Sequence, residues 1–203
     1  MSGSAAGDRP EATTRDRIVR GAAQLIRTQG VSTTGMRDVV AFAEAPRGSL
    51  QHYFPGGKDQ LVREALLWSG DASGLLVRYL YRGMEAPSPG KLLSELAAWW
   101  RSELLSSDFG AGCPLVAAAV EAAAGTDAMR EAIGEALDHW QGPIAEALTD
   151  MGIPSARATN LAVLILSALE GAIVLARIRH DVTPLDIVVE ELSPVLDHSG
   201  DRR

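Results

Sequence analysis

The sequence predicts an all-α chain of about nine helices, a three-helix head followed by a longer helical bundle. Three observations point there. Apolar residues recur at helical spacing along the chain, sustained period-2 alternation is absent, and cap, proline and glycine signals fall at helix-length intervals. The 203 residues, 46% hydrophobic and 22% charged, have ordinary globular composition and suit one large domain or a small and a medium one.

Thr13 or Thr14 can cap the first helix, with Asp16 placed as the capping-box carboxylate for Thr13. Ile18, Ala22, Leu25 and Ile26 form its apolar stripe, and Gly30 stops it. A second short helix follows Thr34, with Met36, Val39, Val40 and Ala43 on one face. Pro46 suits the first turn of a third, which carries Leu50 and Phe54 inward at i, i+4. From Lys58 the elements lengthen. Leu61, Ala65, Trp68, Ala72 and Leu76 mark a fourth helix, although Gly70 and Gly74 are poor helix formers. Residues 86–90 (APSPG) break it. Further helices are expected over 92–105 and 114–124, with a loop between them over 106–112. A Thr126 cap then opens a helix bearing Met129, Ile133, Leu137, Trp140, Ile144 and Leu148, which Pro143 should kink by removing a donor. Ser155 opens an apolar helix reaching Arg179. Thr183 as cap, Pro184 in the first turn and Asp186 as N3 carboxylate start the last one.

Composition narrows the function. The single cysteine, Cys113, rules out an intramolecular disulfide framework and points to a reducing compartment, the cytoplasm. Residues 1–12 lack the apolar stretch of a secretory signal and read as a disordered tail. The longest apolar stretch, 160–178, is interrupted by Glu170 and flanked by Arg157 and Arg177, which favours a helix buried in protein over a membrane span. Neither H-E-x-x-H nor G-x-S-x-G occurs, and no second cysteine could share a metal, so no metal or cofactor is expected. An enzyme would have to rest on Cys113 with His139 or His180; the other reading of Cys113 is a small core or pocket-wall residue. The net charge of −7 is unevenly spread: residues 1–63 hold nine Arg/Lys against six Asp/Glu, residues 64–203 ten against twenty. Any polyanion would therefore be met by the first third.

Residues 33–58 read TTGMRDVVAFAEAPRGSLQHYFPGGK, two short helices around a four-residue turn (42–45), which matches a helix-turn-helix. In that unit the second helix enters the major groove of double-stranded DNA. Leu50 and Phe54 would hold it to the head, leaving Arg47, Gly48, Ser49, Gln51, His52 and Tyr53 outward or along the rim. Arg47 can pair with guanine O6/N7 or a phosphate, and Gln51 with adenine N6/N7. His52 and Tyr53 can donate to phosphates, and bare Gly48 lets the backbones approach. Thr34 at the start of the second helix and Lys58 at the start of the fourth complete the candidate set. Gly57-Lys58 is not a phosphate-binding loop, because His52 stands where its first glycine should be and Asp59 replaces the hydroxyl residue.

The first helix ending at Gly30, the segment Val31-Ser32-Thr33-Thr34, APRGSLQHYF and the lysine-led fourth helix together resemble the TetR family of transcriptional regulators. FPGGKDQL and Gly112-Cys113-Pro114-Leu115 are similar to its subgroup containing the LmrA and YxaF repressors. The resemblance implies a homodimer with a DNA-binding head (13–60) that reads a pseudo-palindromic operator. It also implies a ligand-binding and dimerisation body (61–203) whose small-molecule effector releases the DNA. Two positions depart from the family: Glu44 stands where it usually has glycine, and Gln51 where it usually has tyrosine. Those departures motivate the competing reading, a helical ligand-binding or protein-interaction bundle that no longer binds DNA.

Within the body, Trp99, Cys113, Met129, His139 and Trp140 are candidates for an effector-pocket lining, with plain core packing as their other role. The helix over 161–178 is apolar around most of its circumference and needs burial on every side. The family pairs its last two helices across a two-fold axis. On that pattern Leu161, Leu164, Ala168, Ala172 and Leu175 fit a seam, with Val188, Leu192 and Leu196 as partners; the other reading is a helix central to the monomer.

Overall fold

The computed structural model describes residues 12–122 and 127–200. The expected tail, Ala12 apart, and the expected Thr126 cap lie outside those residues. Among the described residues the chain is all-α: α1 (Thr14–Gln29), α2 (Met36–Phe42), α3 (Ser49–Tyr53), α4 (Gly57–Arg82), α5 (Pro89–Ser106), α6 (Pro114–Ala122), α7 (Asp127–Asp150), α8 (Ser155–Arg179) and α9 (Thr183–Asp197), closed by a 3-10 turn (His198–Gly200).

The local signals act as chemistry requires, with instructive shifts. Thr13 and Asp16 form a full capping box, and Gly30 ends α1 at φ 85°, a left-handed value that glycine tolerates. Pro46 does not sit in α3: its carbonyl accepts from Ser49 N at 2.9 Å in a turn that precedes a five-residue helix. The α9 cap also moves. Thr183 makes no side-chain cap; instead its backbone N–H donates to Asp181 Oδ1 at 3.1 Å, while Pro184 occupies the first turn.

Gly70 and Gly74, weak by propensity, explain how α4 packs. Both are buried against α7, and a Cβ on either would fall on a backbone carbonyl, Ala136 or His139 respectively. Bare backbone on α4 thus lets α7 lie close along it, and α7 continues through Pro143, whose ring abuts Gly74. Around this pair α5 packs on α9 and α8 on both α7 and α9, while α1 lies on α4 and α6. Buried residues from Ile18 to Leu196 join in one core, with α4 contributing to both head and body.

α8 is long and apolar enough to cross a membrane by length and composition alone. One side of it, including Leu161, Ile165, Leu169, Ala172 and Ile173, is buried in the chain's own core. The opposite side leaves Val163, Leu164, Val174, Leu175 and Ile178 exposed, and α9 adds Ile187 and Val195. Of the expected seam, Leu161, Ala172 and Leu196 are therefore misplaced, each at most 3% exposed and already used by the monomer. Leu164 and Leu175 are exposed, while Ala168, Val188 and Leu192 are half-buried.

Candidate nucleic-acid interface

The head is built around α1. Arg15 pairs with Glu64 of α4 at 2.7 Å, and its guanidinium lies 5.8 Å over the Phe54 ring. The turn after α2 closes with Ala45 N donating to Val40 O at 3.0 Å, which requires a left-handed residue; Glu44 takes that role at φ 50°. The turn therefore keeps the shape a glycine would give, at the strain cost that a side chain adds. Phe54, 2% exposed, caps α3 through its N–H to Leu50 O at 2.8 Å, and Leu50 is half-buried beneath it. These anchors fix which side of α3 faces out.

On that side Arg47, Gly48, Gln51 and His52 are exposed, and Ser49 and Tyr53 are half-buried. The His52 and Tyr53 rings meet edge to face at 4.7 Å. Nothing lies within 4 Å of where a Gly48 Cβ would stand, so the chain's own packing makes no demand for glycine there. Two candidates are turned to other uses. Thr34 is 3% exposed and donates its hydroxyl to Gly30 O at 2.6 Å, which ties the loop instead of presenting a donor. Lys58 Nζ donates to Ser32 O at 3.1 Å, close to the Glu121 carboxylate.

Glu121, at the end of α6, is the residue that sequence reasoning missed. It accepts from Val31 N and Ser32 N, both at 2.7 Å, and from the Ser32 hydroxyl. Those donors hold its carboxyl below the usual range against the opposing effect of burial. The body thereby grips the α1–α2 loop across about ninety residues of sequence, a separation that no local signal spans. Arg37 is also exposed, in the first turn of α2.

Residues 18–65 match the description "Bacterial regulatory proteins, tetR family", and residues 89–191 match "Transcriptional regulator LmrA/YxaF-like, C-terminal domain". The chain belongs to the TetR family. An uncharacterized HTH-type transcriptional regulator of Mycobacterium tuberculosis (strain ATCC 25618 / H37Rv) is 43% identical over 90% of this chain and 93% of its own. Bacillus subtilis YxaF is 30% identical over 90% of this chain and 94% of its own; LmrA from the same organism is 30% identical over 84% and 90%. The fold is also that of TetR regulators from Legionella pneumophila (TM-score 0.76, 18% identity, 93% of this chain and 100% of that one) and Rhodobacter sphaeroides (0.77, 21%, 89% and 97%). The TetR-family members it resembles are transcriptional regulators, not enzymes.

In the body of this TetR-family regulator, a cavity of about 530 Å³ lies between α1, α4, α5 and the start of α6. Trp68, Tyr79, Trp99, Trp100 and Cys113 line it, with Arg27 and Glu103 at 2.9 Å from each other in its wall. Trp99 and Cys113 stand where the sequence suggested. Met129, His139 and Trp140 do not line it: Met129 is half-buried in α7, His139 Nδ1 lies 2.8 Å from Asp71 across the α4–α7 contact, and Trp140 is core, 2% exposed. α1, which carries the head, contributes Ala23, Gln24 and Arg27 to the same wall.

Proposed function

We propose that this protein is a ligand-responsive repressor, cytoplasmic, that binds a pseudo-palindromic DNA operator as a homodimer and is released by a small, largely apolar effector. Residues 13–60 would form the DNA-binding part and 61–203 the ligand-binding and dimerisation part. The observation that carries the reading is the outward set Arg47, Gln51 and His52 on a helix whose other side is held by Leu50 and Phe54. Such a helix can enter a major groove, with Arg47 and Gln51 at base edges and His52 on phosphate. Dimerisation is supported by the exposed α8 stripe of Val163, Leu164, Val174, Leu175 and Ile178, apolar surface that a second copy would cover. The aromatic cavity supports an effector, which must bind the released form better than the DNA-bound one.

A mobility-shift titration on the DNA upstream of the protein's own gene tests the reading. Salt-sensitive, sequence-selective binding is expected, and Arg47→Ala should weaken it by about 1–3 kcal/mol if that side chain reads a guanine. No binding at low salt would favour the alternative, a bundle that has lost DNA binding; the internal engagement of Thr34 and Lys58 is the observation on its side.

A further inference from the structure

Cys113 lines the tryptophan-lined cavity and also borders a second, smaller cavity of about 280 Å³ between α6 and α8. Val116, Val120, Ile173 and Val174 give that cavity apolar walls, and Glu170 belongs to its lining. The stem of Glu170 is part-exposed, yet both carboxylate oxygens are closed to solvent and find no partner beyond the Cys113 thiol. The thiol of Cys113 lies beside it, and a thiol is a weak donor. Burial pushes the Glu170 carboxyl up to about 7, and burial together with that carboxylate raises the Cys113 thiol well above its usual range.

The other charged groups of this lining are occupied. Arg177 donates from Nε to Phe109 O at 3.2 Å and from Nη2 to Gly110 O at 3.0 Å. Glu121 is held by Val31 and Ser32. One acceptor in an apolar interior is left wanting a donor, and an unmet buried polar group is costly, more so when ionised.

We infer that the effector is an amphipathic cation, whose aromatic or other apolar body seats among Trp68, Trp99 and Trp100 while its protonated nitrogen reaches past Cys113 to the carboxylate of Glu170. This rests on the reading of the body as an effector site and adds one positive charge to an otherwise apolar ligand. Two separate features agree. Indole faces attract cations, as Arg20 over Trp68 and Arg27 over Trp100 already show, which leaves Trp99 for the ligand, and the carboxylate beyond them has only a thiol for a donor. A neutral apolar ligand would leave Glu170 unsatisfied, and an anion would be repelled.

The test is calorimetric titration of the full-length protein, at about pH 8 where the carboxylate is ionised. The cations are tryptamine, aminoacridine and benzyltrimethylammonium, set against the anions indoleacetate and anthracenecarboxylate. At least one cation should bind saturably, and Glu170→Gln should weaken that binding about tenfold or more while leaving the anions no weaker. Glu170→Asp, which keeps a charge in the same place, should restore part of the affinity. Cation affinity unchanged in Glu170→Gln, preference for the anions, or no saturable cation binding at all would each overturn the inference. Operator binding by unliganded Glu170→Gln, measured by mobility shift, separates this result from the DNA-binding reading: it should match wild type whichever way the titration falls.

Discussion

Replacing Glu170 by glutamine should make the protein more stable at alkaline pH and leave it nearly unchanged in acid. The carboxyl titrates near 4.5 in an open chain and at about 7 in the fold, because burial removes it from water and the weak Cys113 thiol donor offsets only part of that effect. Below about pH 4.5 both states carry the proton and the site costs nothing. Between about pH 4.5 and 7 the unfolded chain releases it while the folded chain keeps it, so this group's contribution falls as pH rises. Above about pH 7 the folded carboxylate ionises too and the penalty levels off at about 3 kcal/mol, from about 1.4 kcal/mol per tenfold in proton affinity. Cys113, Glu121 and Arg177 face the same region, and all three remain in both proteins, so they cancel to first order. Urea unfolding of wild type and Glu170→Gln at equal protein concentration, from about pH 5 to about pH 8, should give a stability difference that grows by about 2–3 kcal/mol in favour of the variant. A difference flat to within about 0.5 kcal/mol across that range would refute the assignment of Glu170 as a buried acid held by no strong donor.

Three further outcomes follow from packing and backbone geometry. Glu44→Gly relieves a left-handed φ of 50° in the helix-turn-helix and should raise stability by roughly 1 kcal/mol; an unfolding midpoint at or below wild type would contradict it. Gly70→Ala drives a methyl onto the Ala136 carbonyl and should destabilise by about 2–3 kcal/mol, since backbone cannot step aside as a flexible side chain does. A melting temperature equal to wild type would mean that α4 and α7 are less tightly apposed than their backbones indicate. Leu164→Arg paired with Leu175→Arg places two charges on the exposed α8 stripe, and sedimentation should find a folded monomer in place of the dimer proposed for wild type. A dimer that survives both would move the interface elsewhere.

What the sequence disclosed was whatever a few neighbouring residues decide. The Thr13–Asp16 box, the stop at Gly30 and the inward pair Leu50 and Phe54 are local, and each stands in the structure as read. At Glu44 the position was legible as one that favours glycine, but a side chain there suggested a turn of different shape, whereas the turn stays left-handed at φ 50°. Failures came from two sources. On α8 the side chains are apolar nearly all round, so periodicity carries no phase; Leu161 and Ala172 could be assigned outward although they face the core. The other source is partnership at a distance. Thr34 looked like a free hydroxyl until its bond to Gly30 O was seen, and nothing near residue 121 announces that its carboxylate holds a loop beginning at Val31. Gly70 and Gly74 had the opposite fate. They read as flaws in a helix because propensity is measured in isolation, whereas their value lies in the α7 backbone they admit.

The contacts between head and body also limit how an effector can act. Arg27 of α1 donates from Nε to Gly112 O at 3.1 Å and accepts Gly112 N at its own carbonyl at 2.9 Å, immediately before Cys113 in the cavity wall. From there α6 runs to Glu121, whose carboxylate secures the loop that joins α1 to α2. One short helix therefore has a cavity-facing residue at its start and a residue that grips the α1–α2 loop at its end. On the proposed reading, a ligand near Cys113 need not wait for α4 alone to carry a displacement. A shift of α6 would strain charge-assisted bonds to Val31 and Ser32 directly, and such bonds are roughly twice as strong as neutral ones. Only the difference in ligand affinity between the two states can offset that strain. It follows that a variant with a loosened grip, Glu121→Gln, should need less effector for release than wild type at equal operator affinity; an unchanged effector midpoint would exclude α6 from the coupling.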